Sequence, residues 1–195
     1  MPRTPILDHT YLGKLQDYFA AHQVFPSYAA IGRIVGLNST SSVSAMIARL
    51  KLQKYLETSK DGRLKPGSRF FERPLMLDKV AAGLPSMVFD APPESLSIDA
   101  RLVKKPSKTF LIRVKGDSME DAGLLPGDTL IVEKAHTAKE GQIVVAILED
   151  AYTVKRLIRE GKRFVLKPEN KAYPVLRPEN LEIVGIVVGS FREYQ

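Results

Sequence analysis

The apolar period of this chain changes part-way along its length, and that change limits the folds open to it. Between Thr10 and Leu52 apolar residues recur at helical spacing. From Thr109 to Val188 they fall into short runs cut by turn residues. One layer type cannot serve both patterns, so the expected fold is α+β with two domains. A length of 195 residues allows two small domains, and an apolar fraction of 44% is enough for a core in each.

In the first part, Leu12, Leu15, Phe19 and, less regularly, Tyr18 share one face between Thr10 and His22. Pro26-Ser27 offers a cap for a second helix from Tyr28 to Val35, with Ile31, Ile34 and Val35 inward and Gly36 to stop it. Ser39-Thr40-Ser41-Ser42 supplies N-cap candidates for a third helix to about Leu52. Val43, Met46, Ile47 and Leu50 are its inward positions. Lys54–Thr58 and Arg69-Phe70-Phe71 flank a turn signal at Lys60-Asp61-Gly62 and read as a hairpin. Three helices and a hairpin over residues 1–71 are the outline of a winged helix-turn-helix. Any small helical domain is the plainer alternative; the short second helix, the glycine turn and the small polar residues of the third favour DNA binding.

Charge points the same way. Residues 1–72 hold 10 Lys and Arg against 5 Asp and Glu, whereas residues 73–195 hold 19 against 17. Most of the +7 net charge therefore sits in the first third, as a polyanion partner would require. A merely soluble basic surface is the alternative. On the face of the third helix away from the core lie Ser41, Ser44, Ala45, Ala48 and Arg49, and Ser39 and Ser42 at its start are further DNA-binding candidates. Serines can bond base edges, and alanine can meet a thymine methyl. Arg49, Lys51 and Lys54, with Lys60, Arg63, Lys65 and Arg69 on the wing, suit phosphates.

The pattern fades over 72–78, which reads as a linker containing Pro74. Strands are expected at Thr109–Lys115, Thr129–Glu133, Gln142–Leu148, Ala151–Ile158, Arg163–Lys167 and Leu181–Val188, giving an all-β domain within residues 79–195, closed or sandwich-like. The chain has no cysteine, which excludes disulfides, a thiol nucleophile and thiolate metal sites; no cofactor or metal is expected. The N-terminus lacks the apolar stretch of a signal peptide, and the run Ile143–Leu148 is far too short to span a bilayer. The protein reads as soluble and cytoplasmic.

Two segments carry chemistry. Gly116-Asp117-Ser118-Met119 puts a serine on a tight turn, and Thr153-Val154-Lys155-Arg156 puts a lysine in a strand. Serine needs a base to become nucleophilic. His9 and His22 fall in the N-terminal part, and His136 sits in a polar stretch, where sequence leaves it open as a base. Lysine can serve only when neutral, which burial without a carboxylate partner promotes. Lys155 shares a strand face with Thr153 and Leu157, leaving Arg156 as the solvated member. Two ordinary surface cations on a hairpin are the alternative. Asp117, Glu120 and Asp121 would have to point away from an active Lys155. Gly116 permits a turn that aims successive N–H groups at one oxygen. Val80-Ala81-Ala82-Gly83 offers small residues that fit a narrow site, although a linker turn would look the same.

Taken together, Val80–Gly83, Gly116–Met119 with Gly123 and Gly127-Asp128, Gly141–Ala146, Thr153–Arg156 and Pro168-Glu169-Asn170 resemble the LexA repressor family, in order and over nearly the whole chain. The resemblance implies a LexA-type peptidase domain with Ser118 as nucleophile and neutral Lys155 as general base. The backbone amides of Asp117 and Ser118 would form the oxyanion hole, and the cut bond would be Ala82–Gly83 of the same chain. It further implies a homodimer through the C-terminal domain, double-stranded operator DNA, and stimulation by RecA filaments on single-stranded DNA. Cutting would release DNA-damage genes from repression. The family's commonest recognition helix has more asparagine and glutamate where this chain has Ser41, Ser42, Ser44 and Ala45. Two alternatives stand beside the self-cleaving repressor: a UmuD-like translesion-synthesis accessory with an extra domain, against which the N-terminal 70 residues argue, and a phage-type repressor that no longer cleaves.

Overall fold

The computed structural model describes residues 5–75 and 94–194. The chain divides into two compact units, Met1–Ile98 and Asp99–Gln195. The expected cut-site residues Ala82 and Gly83 lie outside the described residues.

The first unit opens with α1 (Pro5–His22), α2 (Tyr28–Val35) and α3 (Thr40–Leu52). Helix α1 starts earlier than its apolar face indicates. Ser27 caps α2 by accepting from the Ala30 N–H at 3.4 Å, and Gly36 ends it in left-handed backbone with φ 82°. Ser39 caps α3 through the Ser42 N–H at 3.1 Å. Leu12, Leu15, Ile31, Val35, Val43, Met46, Ile47 and Leu50 are all buried in one core. The inward positions read from helical spacing are therefore the packed ones, apart from Ile34 and Phe19, which lie at its margin.

The hairpin differs from expectation in its second strand. β1 (Leu56–Thr58) pairs antiparallel with β2 (Leu64–Pro66), and Arg69–Phe71 forms a turn beyond them. Gly67 is the reason. Its N–H reaches the Tyr55 carbonyl at 2.9 Å, so close to the backbone that a Cβ would lie 2.3 Å from the Lys54 oxygen. The chain then folds over with Phe70 N–H on the Gly67 carbonyl. That turn drives Phe70 into the core, 5.4 Å in ring-centroid distance from both Phe19 and Phe25.

Part of the segment read as linker is ordered into a strand. β3 (Arg73–Leu75) pairs antiparallel with β4 (Glu94–Leu96). Pro74 lacks an N–H and hides this strand from pattern reading, yet a two-stranded ladder leaves every residue an open edge on which a missing donor costs little. Helix α4 (Ile98–Leu102) follows.

The second unit is built on one antiparallel six-stranded sheet. Its strands are β5 (Thr109–Arg113), β6 (Thr129–Lys134), β7 (Ile143–Leu148), β8 (Ala151–Glu160), β9 (Arg163–Lys167) and β10 (Glu182–Phe191). They lie in the order β5-β6-β10-β7-β8-β9. The expected closed or sandwich-like form is not what this order gives: β5 and β9 are edges of a single sheet. β8 and β10 run for ten residues, longer than their sequence patterns indicate, and β10 is bulged between Ile183 and Gly185 and between Val187 and Gly189. Long bulged strands coil one sheet enough to give each face its own core. Leu130, Val132 and Val145 pack with Met119 and Leu124, while Val144, Ala146, Leu157, Leu166 and Ile183 form a second cluster. No helix among the described residues is long and apolar enough to cross a membrane.

Candidate functional site

Strand β8 positions Lys155. Its pairing with Val144 on β7 and its place two residues before buried Leu157 put the side chain inward, at 7% exposure. Strand β5 delivers the chain to the serine turn. Gly116, at φ 81°, takes the left-handed backbone that reverses the chain before Asp117 and Ser118. Met119 then anchors the turn in the core.

The two side chains meet. Lys155 Nζ lies 2.8 Å from Ser118 Oγ. It also reaches Thr153 Oγ1 at 3.1 Å and the Val154 carbonyl at 3.0 Å. A neutral lysine amine has two N–H donors and one lone pair. Thr153 and Val154 can accept the two donors, which leaves the lone pair for the serine hydroxyl. Burial holds the amine below the ordinary lysine pKa, and among the described residues no carboxylate opposes it. Glu120 and Asp121 are exposed, and the Asp117 carboxylate accepts the Tyr173 hydroxyl. None of the three is paired with Lys155.

A groove of about 190 Å³ opens at the pair, walled by Arg113–Gly116 on one side and Tyr152–Thr153 on the other. Among the described residues, the N–H groups of Asp117 and Ser118 have no acceptor. Two successive free donors beside a serine hydroxyl are what a developing oxyanion requires. His136 is away from this groove, on the wall of a separate cavity with Arg163 and Glu179. Among the described residues no cluster of three or more His, Asp or Glu gathers to hold a metal ion.

Arg156 is not simply solvated. It forms an ion pair with Glu169 and donates to the Gly141 carbonyl at 2.7 Å. The Pro168–Tyr173 segment folds over the serine turn. Glu169 N–H donates to the Ser118 carbonyl at 2.9 Å, and Asp121 N–H donates to the Glu169 carbonyl at 2.8 Å. Asn170 Nδ2 reaches the Asp117 carbonyl at 3.2 Å. In the sequence Pro168-Glu169-Asn170 carries only the family resemblance; nothing in its own composition says which backbone it meets.

The profile of Peptidase S24-like proteins matches residues 74–188. The LexA repressor of Clostridium perfringens is 35% identical over 176 residues, covering 87% of both chains. The LexA repressor of Clostridium novyi is 33% identical over 180 residues, again 87% of each. The chain belongs to the LexA repressor family. Clostridium kluyveri carries another relative of the same name, at 31% identity over 176 residues and the same coverage. Membership spans both units, so the α-helical part and the sheet belong to the family arrangement together.

In the first unit, α3 carries most of the residues that the sequence offers to DNA. Ser41, Ser44 and Ala45 are exposed on it, as expected. Ser39 and Ser42 are exposed too, but their hydroxyls bond each other at 2.7 Å as part of the cap. Arg49 is engaged differently from expectation. Its guanidinium makes two bonds to buried Asp8 on α1, Nε to Oδ2 at 2.9 Å and Nη2 to Oδ1 at 2.7 Å. That hydrogen bonding raises its pKa further. Lys54 is exposed in left-handed backbone with φ 62°, at the start of the hairpin. Arg63 is exposed at the hairpin tip, 3.3 Å from Asp61. The Lys65 and Arg69 cations likewise have acidic neighbours, Glu57 at 3.0 Å and Glu72 at 2.9 Å.

Proposed function

We propose that this protein is a transcriptional repressor of DNA-damage genes that inactivates itself by cutting its own Ala82–Gly83 bond. The observation that carries the reading is the 2.8 Å approach of Lys155 Nζ to Ser118 Oγ in a buried setting with no carboxylate partner among the described residues. The Ser118 proton passes to Lys155 as Oγ attacks the Ala82 carbonyl carbon. The Asp117 and Ser118 amides receive the oxyanion. As the C–N bond breaks, Lys155 returns the proton to the leaving Gly83 nitrogen. Water, deprotonated by Lys155, then releases Ala82 from Ser118. Each molecule turns over once, because its substrate is itself.

The first unit supplies the regulated activity. Its three helices and β1–β2 hairpin fit a winged helix-turn-helix, with α3 as the recognition helix and Ser41, Ser44 and Ala45 toward base edges. Lys54 and Arg63 approach phosphates. Ser39, Ser42 and Arg49 act less directly, through the cap of α3 and its tie to α1. A homodimer formed through the second unit places two such domains on one palindromic operator. Cutting at Ala82–Gly83, in the chain between the three helices and the second unit, removes that bivalency and with it most of the affinity. RecA filaments on single-stranded DNA supply the damage signal.

The test is a gel shift with a sequence selected from a random duplex library, run before and after alkaline incubation. Binding that falls in step with the appearance of a fragment ending at Ala82 supports the reading. Fully cleaved protein with undiminished dimeric binding overturns it.

A further inference from the structure

We infer that Asn170 is a positioning residue for the oxyanion site, acting through the peptide that joins Asp117 to Ser118. The inference rests on the self-cleavage reading and adds a part to it. A trans peptide unit is planar, and its carbonyl and N–H point in opposite directions. Asn170 Nδ2 holds the Asp117 carbonyl at 3.2 Å. The Ser118 N–H of the same peptide is thereby turned to the other side, where it has no acceptor among the described residues. The Glu120 N–H shares the Asp117 carbonyl at 3.0 Å, so local turn geometry and Asn170 fix this plane together.

Asn170 is itself held at both ends. Its Oδ1 accepts the Ala172 N–H at 2.9 Å, which orients the amide so that Nδ2 faces Asp117. The preceding residue, Glu169, clamps the Ser118 carbonyl with its N–H at 2.9 Å and pairs its carboxylate with Arg156. Arg156 is the next residue after Lys155. One short segment therefore ties the serine turn, the amide plane of the oxyanion donor and the lysine strand into a single frame. Glycine at 116 makes such a frame necessary: the turn it allows is one of many open to that residue.

Loss of the Nδ2 donor leaves the base untouched but lets the oxyanion donor tilt. The limiting alkaline rate should then fall while the midpoint of the pH profile stays in place. Complete removal of an oxyanion donor lowers rates by about 100- to 1000-fold; loss of its support should cost about 10- to 100-fold. The experiment follows first-order self-cleavage of the full chain from neutral to strongly alkaline pH, in wild type, Ser118→Ala, Asn170→Ala and Asn170→Asp. Asn170→Asp keeps the bond from Ala172 N–H and replaces the donor with a charged acceptor, so its plateau, not its midpoint, decides the matter if Asn170→Ala does not fold. Folding is checked by thermal unfolding of each variant combined with Ser118→Ala. A lower plateau in folded Asn170 variants, with the Asn170→Ala midpoint unmoved, is the expected result. A wild-type plateau, or a shifted Asn170→Ala midpoint at full rate, overturns the inference. A wild-type chain that never cleaves, or a Ser118→Ala chain that does, instead overturns the underlying dyad.

Discussion

Asp8 and Arg49 close a bidentate ion pair between α1 and α3, with the carboxylate buried and the guanidinium half-exposed. The residue that sequence pattern offers as a phosphate contact is thus already committed to a carboxylate. Its role is to set how α3 sits against α1.

Arg49 and Lys54 should therefore behave differently in DNA binding. Each true phosphate contact contributes about 0.9 to the slope of log affinity against log salt. Lys54→Ala is expected to lower that slope by about 1 and weaken all sequences alike. Arg49→Gln is expected to leave the slope nearly unchanged and to lower the thermal midpoint of the first unit. Titrations at several salt concentrations, with calorimetry alongside, separate the two.

Phe70 should dominate the stability of the first unit. It is 1% exposed and packs edge-on against Phe19 and Phe25. Phe70→Ala is expected to destabilise by about 3–5 kcal/mol, within the range for large aromatic truncations in cores. Phe71→Ala, at 52% exposure, should cost well under half as much. Urea unfolding followed by tyrosine fluorescence measures both.

Acid should loosen the Leu125–Asp128 turn. Asp128 is buried, accepts the Leu125 N–H at 2.8 Å and receives two guanidinium bonds from Arg192. The hydrogen bonds from Arg192 hold its carboxyl at about 2, below the ordinary 3.8. A depressed carboxylate stabilises the folded state above its unfolded pKa. That contribution is full above pH 3.8 and fades as pH falls toward 2. Asp128→Asn should lower stability at neutral pH and flatten the acid limb between those values. Thermal midpoints against pH check the sign.

Much of this was legible before any coordinates. The burial of Val43, Met46, Ile47 and Leu50 follows from helical spacing alone, as does the inward face of β8 that carries Lys155 and Leu157. The second strand of the hairpin was misread because Arg69-Phe70-Phe71 is apolar enough to resemble a strand. Only the backbone approach at Gly67 diverts it. Strand β3 was missed because three residues around a proline carry no period. The tie of Arg49 to Asp8 is hidden from sequence because the partner is 41 residues away. Local pattern reports which face is buried; it cannot report which distant charge meets a half-exposed cation. The same limit hides the roles of Glu169 and Asn170, whose backbone-carbonyl partners, on Ser118 and Asp117, are more than fifty positions away.

The central claim is that Lys155, in the neutral form that burial favours, removes the Ser118 proton so that the chain cuts itself. Burial lowers the Lys155 pKa below 10.5, so the neutral fraction, and with it the rate, should rise with pH and level off below the ordinary lysine value. The most direct measurement is the self-cleavage rate of the purified protein against pH, with fragment masses determined at each point. The expected result is fragments ending at Ala82 and starting at Gly83, at a rate that climbs through one titration and then flattens. Ser118→Ala and Lys155→Ala should each abolish it. Cleavage at that bond persisting in Ser118→Ala or Lys155→Ala, or a rate indifferent to pH, would contradict the account.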